Sequence, residues 1–386
     1  MRTNKKIFIS AGEASGDLHG ASLLRALAAR EPGVRAVCLG GGMLRAAGAE
    51  VLVDNRELSV VGISEVLGHA RVIYAAWRKI MDYLEKERPS LVVLIDFPDF
   101  NFLLARAAKR LGIRIFYYIS PQVWAWRTGR VRTLKRLVHT MAVILPFEGA
   151  FYEAHGMKVH YVGHPLMDVL GGAPGREEAA LRYRAAGTSG AASGAGPLVG
   201  LLPGSRRGEV RTMLPILMES AALMHRQNPS LSFLLALAPS LDSAVASGVA
   251  RDSKLPIRVV SNDTYGVMRA CDLLVAVSGT VTLEAAILGA PMVVVYKVSA
   301  LTAEFGRWLI KVKYAAMPNL IADREIAPEL IQARATPERI AGTALGLLND
   351  PGALERQRLE LSRVRQWLGR PGVADRVAEL VLDAMP

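Results

Sequence analysis

Cysteine is almost absent: Cys38 and Cys271 are the only two in 386 residues, and neither has a CxxC partner or a histidine pair beside it. That scarcity excludes a disulfide framework and a structural zinc site, and it fits a reducing compartment. Long hydrophobic runs are missing too, so no stretch has the uncharged apolar length of a spanning helix. The opening residues are basic, but only Ile7 to Ile9 are apolar before Glu13 and Asp17, which does not read as a signal peptide. Any membrane contact is therefore expected to be peripheral. Several catalytic signatures are also absent. Without GxGxxG, GxSxG or a Walker A run, the chain does not read as a dinucleotide enzyme, a serine hydrolase or a P-loop kinase. It has no Asp-x-Asp either, the pair by which many nucleotide-sugar enzymes hold a divalent metal. Charge neutralisation by arginine and helix dipoles is expected in place of a cation.

What the chain does have is apolar bulk and positive charge. With 51% hydrophobic and 21% charged residues, and no triplet period among 35 Gly and 20 Pro, it is neither disordered nor fibrous. Its length favours two domains. The net charge of +12 calls for an acidic partner: a nucleic acid, an anionic membrane or a phosphorylated substrate. Much of that charge is local. From Phe100 to Phe147 there is no Asp or Glu, while Arg106, Lys109, Arg110, Arg114, Arg127, Arg130, Arg132, Lys135 and Arg136 contribute nine positive charges.

Short apolar runs alternate with helical patterns. Lys6 to Ile9, Val34 to Leu39, Leu91 to Ile95, Ile113 to Ile119 and Met141 to Leu145 read as buried parallel strands, with helices such as Leu18 to Arg30 and Arg71 to Glu87 between them. The series breaks near 171–197, a stretch rich in Gly, Ala and Ser, and restarts with Leu198 to Leu202, Leu231 to Leu237, Ile257 to Val260, Leu273 to Val277 and Met292 to Tyr296. This predicts α/β architecture: two Rossmann-like doubly wound domains, 1–170 and 198–365, with a cleft between them. A closing helix over 366–386 is expected to pack across both.

Ligands of open α/β sheets bind beyond the carboxyl ends of the strands. The first strand ends in Ser10-Ala-Gly-Glu-Ala-Ser-Gly-Asp17, a Gly-rich turn that offers N–H groups to an anion or sugar hydroxyl, unless Ser15 or Asp17 merely caps the helix. The strand Leu91 to Ile95 ends in Asp96-Phe-Pro-Asp99-Phe-Asn101. Asp96 stands where a general base belongs, with a purely structural role as the alternative, and Asp99 is the expected N-cap of a helix over Phe102 to Leu111. Ser120 to Arg127 sets Trp124 and Trp126 beside arginines. Base stacking uses such a pairing, but a phosphorylated amphiphile or a phospholipid surface accounts more directly for both rings and charge. A solvated basic helix over Arg130 to Arg136 is the plainer alternative.

In the second half, Gly204, Ser205 and Arg206 form a strand-to-helix turn suited to phosphate. Ser278, Gly279 and Thr280 form a second such turn, and Glu284 is placed one helical turn on to accept the two ribose hydroxyls. The two turns and one carboxylate together point to a nucleoside diphosphate site. Two apolar stripes flanked by cations, Ile73 to Leu84 and Phe305 to Ile310, suit core packing individually and peripheral membrane contact jointly.

Six segments, from Ser10–Asp17, Ile95–Asn101 and Ser120–Arg127 to Leu202–Arg206, Ser278–Glu284 and Pro318–Leu320, together closely resemble the lipid-A-disaccharide synthase family. The resemblance implies an inverting glycosyltransferase of GT-B architecture in lipid A biosynthesis, peripheral on the cytoplasmic face of the inner membrane of a Gram-negative bacterium. The implied reaction joins UDP-2,3-diacylglucosamine to 2,3-diacylglucosamine 1-phosphate, giving a β-1,6-linked disaccharide phosphate and UDP, with no metal and no nucleic acid; a homodimer is a further expectation. It also implies roles for Asp96 as general base, Glu13 of the first turn, Arg206 of the Pro-Gly-Ser-Arg turn and Asn319 of the Pro-Asn motif. An epimerase or other glycosyltransferase of the same architecture, a non-catalytic nucleotide-binding module and a nucleic-acid binder are the competing readings.

Overall fold

Leu91, Val92, Val93, Leu94 and Ile95 are each 0% exposed. A parallel strand covered by helices on both faces has to be apolar on both, so the run shows no polar alternation. The computed structural model describes residues 5–59, 66–126, 128–185, 196–238, 248, 253–298 and 313–386. They form two units: residues up to Asp168 together with Leu368–Pro386, and Val169–Trp367.

The first unit runs β1 (Lys6–Ala11), α1 (Ala14–Arg30), β2 (Arg35–Gly40), α2 (Gly42–Ala46), β3 (Glu50–Asp54), α3 (Val66–Glu87), β4 (Leu91–Ile95), α4 (Pro98–Arg110), β5 (Arg114–Tyr118), α5 (Val131–Leu137), β6 (Thr140–Val143), α6 (Glu148–Ala154) and β7 (His160–Tyr161). Its sheet is parallel throughout, in the order β3-β2-β1-β4-β5-β6-β7. Successive strand residues feed opposite cores. Phe8, Val92, Leu94 and Tyr117 pack with Ile80, Leu84 and Leu104, while Ile7, Ile9, Val93 and Phe116 pack with Leu23, Leu27 and Val377. Each fully buried aliphatic side chain contributes about 1.5–3 kcal/mol.

The second unit repeats the plan: β8 (Leu198–Leu202), α7 (Arg207–Gln227), β9 (Ser232–Leu237), β10 (Ile257–Ser261), α8 (Thr264–Ala270), β11 (Leu273–Val277), α9 (Thr280–Ile287), β12 (Met292–Tyr296), α10 (Met317–Ala322), β13 (Glu329–Ile331), α11 (Pro337–Leu348) and α12 (Pro351–Trp367). The strand order is β10-β9-β8-β11-β12-β13, again all parallel. In both sheets the order reverses between the first and fourth strands of the unit, which makes β1/β4 and β8/β11 the topological switch points.

The last helix, α13 (Val373–Ala384), belongs to the first unit. The Asp168 carboxylate accepts the N–H groups of Gly372, Val373 and Ala374 at 2.6, 3.3 and 3.1 Å, capping its N-terminus. Arg30 at the end of α1 pairs with Asp375 and, at 3.0 Å, with Glu379. The predicted linker is helical over Arg176–Ala180, and Arg184 pairs with Asp272 at 2.6 Å. Its remainder at 186–195 lies outside the described residues.

Helix α4 corrects one expectation. It starts at Pro98, whose fixed φ and missing N–H suit the first helical position. Asp99 therefore lies inside the first turn and pairs with Arg130 at 3.0 Å, and the N-cap is Phe97. Helix α1 likewise starts at Ala14, with Glu13 at the N-cap position.

Candidate active site

The first site forms where β1 and β4 end side by side, with Ala11 paired to Ile95. Asp96 follows β4 directly and is half-buried. Burial, helped by the negative charge of Glu13, raises its carboxyl from the ordinary 3.8 to about 6. An aspartate tuned this way is mostly ionised at neutral pH yet basic enough to accept a proton, as a general base must. Glu13 itself is exposed, and its side chain makes no cap hydrogen bond to α1. Asp17 does not cap α1 either. Its carboxylate accepts the N–H groups of Gly41, Met43 and Leu44 at 2.7, 2.9 and 3.1 Å and so holds the turn into α2. Ser15 is exposed.

The Trp-bearing loop is organised by Glu148, a residue that no motif in the sequence singles out. Its buried carboxylate accepts Ser120 Oγ at 2.6 Å, Trp124 Nε1 at 3.2 Å and the N–H groups of Ile144 and Leu145 at 3.1 and 2.8 Å. Trp124 packs edge-on against Phe147, 5.0 Å between centroids, which fixes its ring within the unit. The side chains of Trp126 and Arg127 lie outside the described residues. On α3 the predicted stripe divides. Ile80 and Leu84 are core, Trp77 packs on Phe100, and Ile73 and Tyr74 are 40% and 62% exposed next to Arg71. The second stripe, Phe305 to Ile310, lies outside the described residues.

The second site is a cavity of about 530 Å³ at the β8/β11 switch point. It collects all seven residues named from the two phosphate-suited turns and the helix after the second: Gly204, Ser205, Arg206, Ser278, Gly279, Thr280 and Glu284. Gly204, at φ +105°, turns the chain where a Cβ would lie 2.8 Å from Glu209 Oε2. Glu209 closes the turn by accepting Arg206 N at 3.3 Å and Arg206 Nη1 at 2.8 Å. The exposed guanidinium is thereby held at the cavity beside the start of α7. Helix α9 starts at the same cavity, with Gly279 as an N-cap that brings no side chain to its first turn. Two helix N-termini and one arginine create the positive field that a diphosphate needs. Glu284 is half-buried, which pushes its carboxyl up, and it accepts the Tyr265 hydroxyl at 3.4 Å. Tyr265, Asn262 and Asp263 line the wall, unforeseen because they follow a strand two positions away in the sheet. Asp263 caps α8 through Gly266 N at 3.0 Å and accepts Tyr183 Oη at 2.5 Å.

Asn319 does not line this cavity. It is 0% exposed; its amide donates to Ala327 O at 2.7 Å and Glu329 Oε1 at 2.8 Å, and its oxygen accepts Ile326 N and Ala327 N at 2.7 and 2.9 Å. An amide with two donors and two acceptor positions filled has nothing left for a substrate. Glu329 also accepts Ala315 N and Ala316 N, both at 2.9 Å, and Ser278 Oγ donates to Ala315 O at 2.8 Å. Asn319 thus fixes the segment against which the turn at Ser278 rests. The two thiols, Cys38 and Cys271, are buried and unpaired, one in each unit. Among the described residues no helix is long and apolar enough to cross a membrane.

A sequence profile of the family described as lipid-A-disaccharide synthetase matches residues 7–376. The chain is 46% identical over 385 residues to the lipid-A-disaccharide synthase of Geobacter metallireducens, covering 99% of this chain and 98% of that protein. In fold it is similar to the UDP-GlcNAc 2-epimerase of Neisseria meningitidis, solved bound to UDP-GlcNAc, with TM-score 0.63 at 13% identity over 98% and 100% of the two chains. It is equally similar to the glycotransferase of kitacinnamycin, with TM-score 0.63 at 19% identity over 99% of each chain. The fold is of the GT-B class, two Rossmann-like doubly wound domains.

Proposed function

Because the chain belongs to the lipid-A-disaccharide synthetase family, we propose that it is an inverting glycosyltransferase that joins UDP-2,3-diacylglucosamine to 2,3-diacylglucosamine 1-phosphate. The products are the β-1,6-linked lipid A disaccharide 1-phosphate and UDP. The observation that carries this reading is the cavity at the β8/β11 switch point, where both phosphate-binding turns and Glu284 meet. Arg206 and the N-termini of α7 and α9 hold the diphosphate, and Glu284 accepts the ribose hydroxyls.

In the first unit Asp96 takes the proton of the acceptor 6-hydroxyl as that oxygen attacks the anomeric carbon. The bond from that carbon to the diphosphate oxygen breaks, and the leaving UDP gains the negative charge. Arg206 and the helix ends stabilise that charge as it develops, so the donor site serves chemistry as well as binding. Burial keeps the Asp96 carboxyl basic, and the charge of Glu13 adds to that effect. No divalent cation enters this scheme, because the positive charge comes from arginine and backbone N–H groups.

The exposed Val72, Ile73 and Tyr74 of α3, with Arg71 beside them, suit acyl chains and an anionic bilayer surface at the inner face of the inner membrane. An epimerase sharing the donor turns needs no acylated acceptor. The test is UDP release from the purified protein with both acylated substrates present, and with either one omitted. Release only when both are present is expected; release from the donor alone at the same rate contradicts transfer.

A further inference from the structure

Asp96 stands in a backbone conformation that a side chain disfavours. Its φ is +45° and that of Phe97 is +47°, so two successive non-glycine residues occupy the left-handed region. Such a kink is costly for a residue with a side chain and persists only where its surroundings over-determine it.

The surroundings here are polar and buried. The Asp96 carbonyl oxygen accepts Asn101 Nδ2 at 2.7 Å and the Tyr117 hydroxyl at 2.9 Å. Asn101 Nδ2 also donates to Ile95 O at 3.3 Å. Ser10 Oγ donates to Asn101 Oδ1 at 2.6 Å, which decides the way the amide faces. Ser10, Asn101 and Tyr117 are each 0% exposed. On the other side of the kink the Phe97 ring fills the place of the side chain that Gly12 lacks, since a Cβ on Gly12 would lie 2.2 Å from Phe97 Cδ1. The first turn and the Asp96 turn are therefore interlocked. Two buried side chains, Asn101 of α4 and Tyr117 of β5, meet on the main-chain carbonyl of Asp96, and Ser10 of β1 holds the Asn101 amide in place.

Resting on the reading of Asp96 as base, we propose that Ser10, Asn101 and Tyr117 are positioning residues. They hold the left-handed kink that aims the Asp96 carboxylate at the acceptor hydroxyl, with Gly12 providing the slot for the Phe97 ring. General-base transfer depends steeply on this aim, because a misplacement of about 1 Å costs on the order of a hundredfold in rate.

Tyr117→Phe deletes one hydroxyl and leaves the ring in place. Turnover of both acylated substrates by the full chain is measured for Tyr117→Phe, Asp96→Asn and the double variant, with donor KM and thermal midpoint. For Tyr117→Phe we expect a fall in kcat of roughly ten- to a hundredfold with donor KM unchanged. In the Asp96→Asn background the same substitution should cost nothing further, since no carboxylate remains to aim. Ser10→Ala, which frees the amide to turn over, should repeat the pattern. An equal loss in both backgrounds, or wild-type kcat for both Tyr117→Phe and Ser10→Ala, overturns the positioning role while leaving the base in place. Wild-type turnover of Asp96→Asn overturns the base and the positioning role with it.

Discussion

Replacing Asp96 by Asn separates a catalytic carboxylate from a structural one, because the two roles move stability in opposite directions. The side chain keeps its shape and loses its charge. In the folded protein its carboxyl titrates at about 6 instead of 3.8, with burial the main cause and Glu13 the second. A raised carboxyl means that ionisation opposes folding. That cost is fully present above pH 6, shrinks as pH falls and is gone below pH 4, where the group is protonated in both states. The rise from 3.8 to about 6 corresponds to about 3 kcal/mol as an upper bound. Asp96→Asn should therefore stabilise the first unit by up to about 3 kcal/mol at pH 7.5 and by almost nothing at pH 4. Activity should move the other way. A general base contributes about 10²- to 10⁴-fold, or roughly 3–5 kcal/mol of barrier, so turnover should fall by that factor while UDP affinity is unchanged. The wild-type acid limb of kcat/KM should lie near pH 6, with roughly a tenth of the rate left at pH 5. Urea unfolding at the two pH values and a pH–rate profile measure all of this. A destabilised variant, a turnover loss below tenfold, or an acid limb near 6 that survives the substitution would each refute the reasoning.

Arg206→Ala should leave thermal stability unchanged, because the guanidinium is exposed and its partner among the described residues is Glu209 of its own turn. It should raise donor KM or lower kcat/KM by roughly ten- to a thousandfold, read from initial rates at low donor concentration; an unaltered rate there contradicts its place on the diphosphate. Asn319→Ala strips four hydrogen bonds from a fully buried site, so the second unit should lose about 2–4 kcal/mol in denaturant unfolding. At a temperature where it stays folded, its kcat should lie within a few-fold of wild type. A chelator should leave turnover unchanged, measured as UDP release with and without EDTA; loss restored by added divalent cation contradicts neutralisation by arginine and helix ends.

Much of the fold is legible in the chain because parallel strands buried on both faces write themselves as short apolar runs. Leu91–Ile95, Leu198–Leu202, Leu273–Val277 and Met292–Tyr296 match their predicted limits. The strands without such a signal are short and begin or sit among polar residues: Glu50–Asp54, His160–Tyr161 and Glu329–Ile331. The residues that line the second-unit cavity are legible because each turn combines glycine, a small polar residue and a helix start in one local string. Their convergence is not, since it depends on β8 lying beside β11, a pairing that no local pattern encodes. Long-range polar partners are hidden for the same reason. Asp168 caps a helix that begins more than 200 residues later, and the four hydrogen bonds of the Asn319 amide reach Ile326, Ala327 and Glu329, which no local pattern links to it. Asp99 is not the cap because a proline at the first helical position moves the helix start ahead of it.

The proposed reaction links two acylated glucosamines with inversion. Its most direct test is incubation of the purified protein with UDP-2,3-diacylglucosamine and 2,3-diacylglucosamine 1-phosphate, with mass spectrometry of the lipid product and NMR of its anomeric centre. We expect one product with the mass of the tetra-acylated disaccharide 1-phosphate, a β-1,6 linkage, and one UDP released per linkage formed. An epimerised donor, a free acylated sugar without disaccharide, or an α-linked product would contradict it.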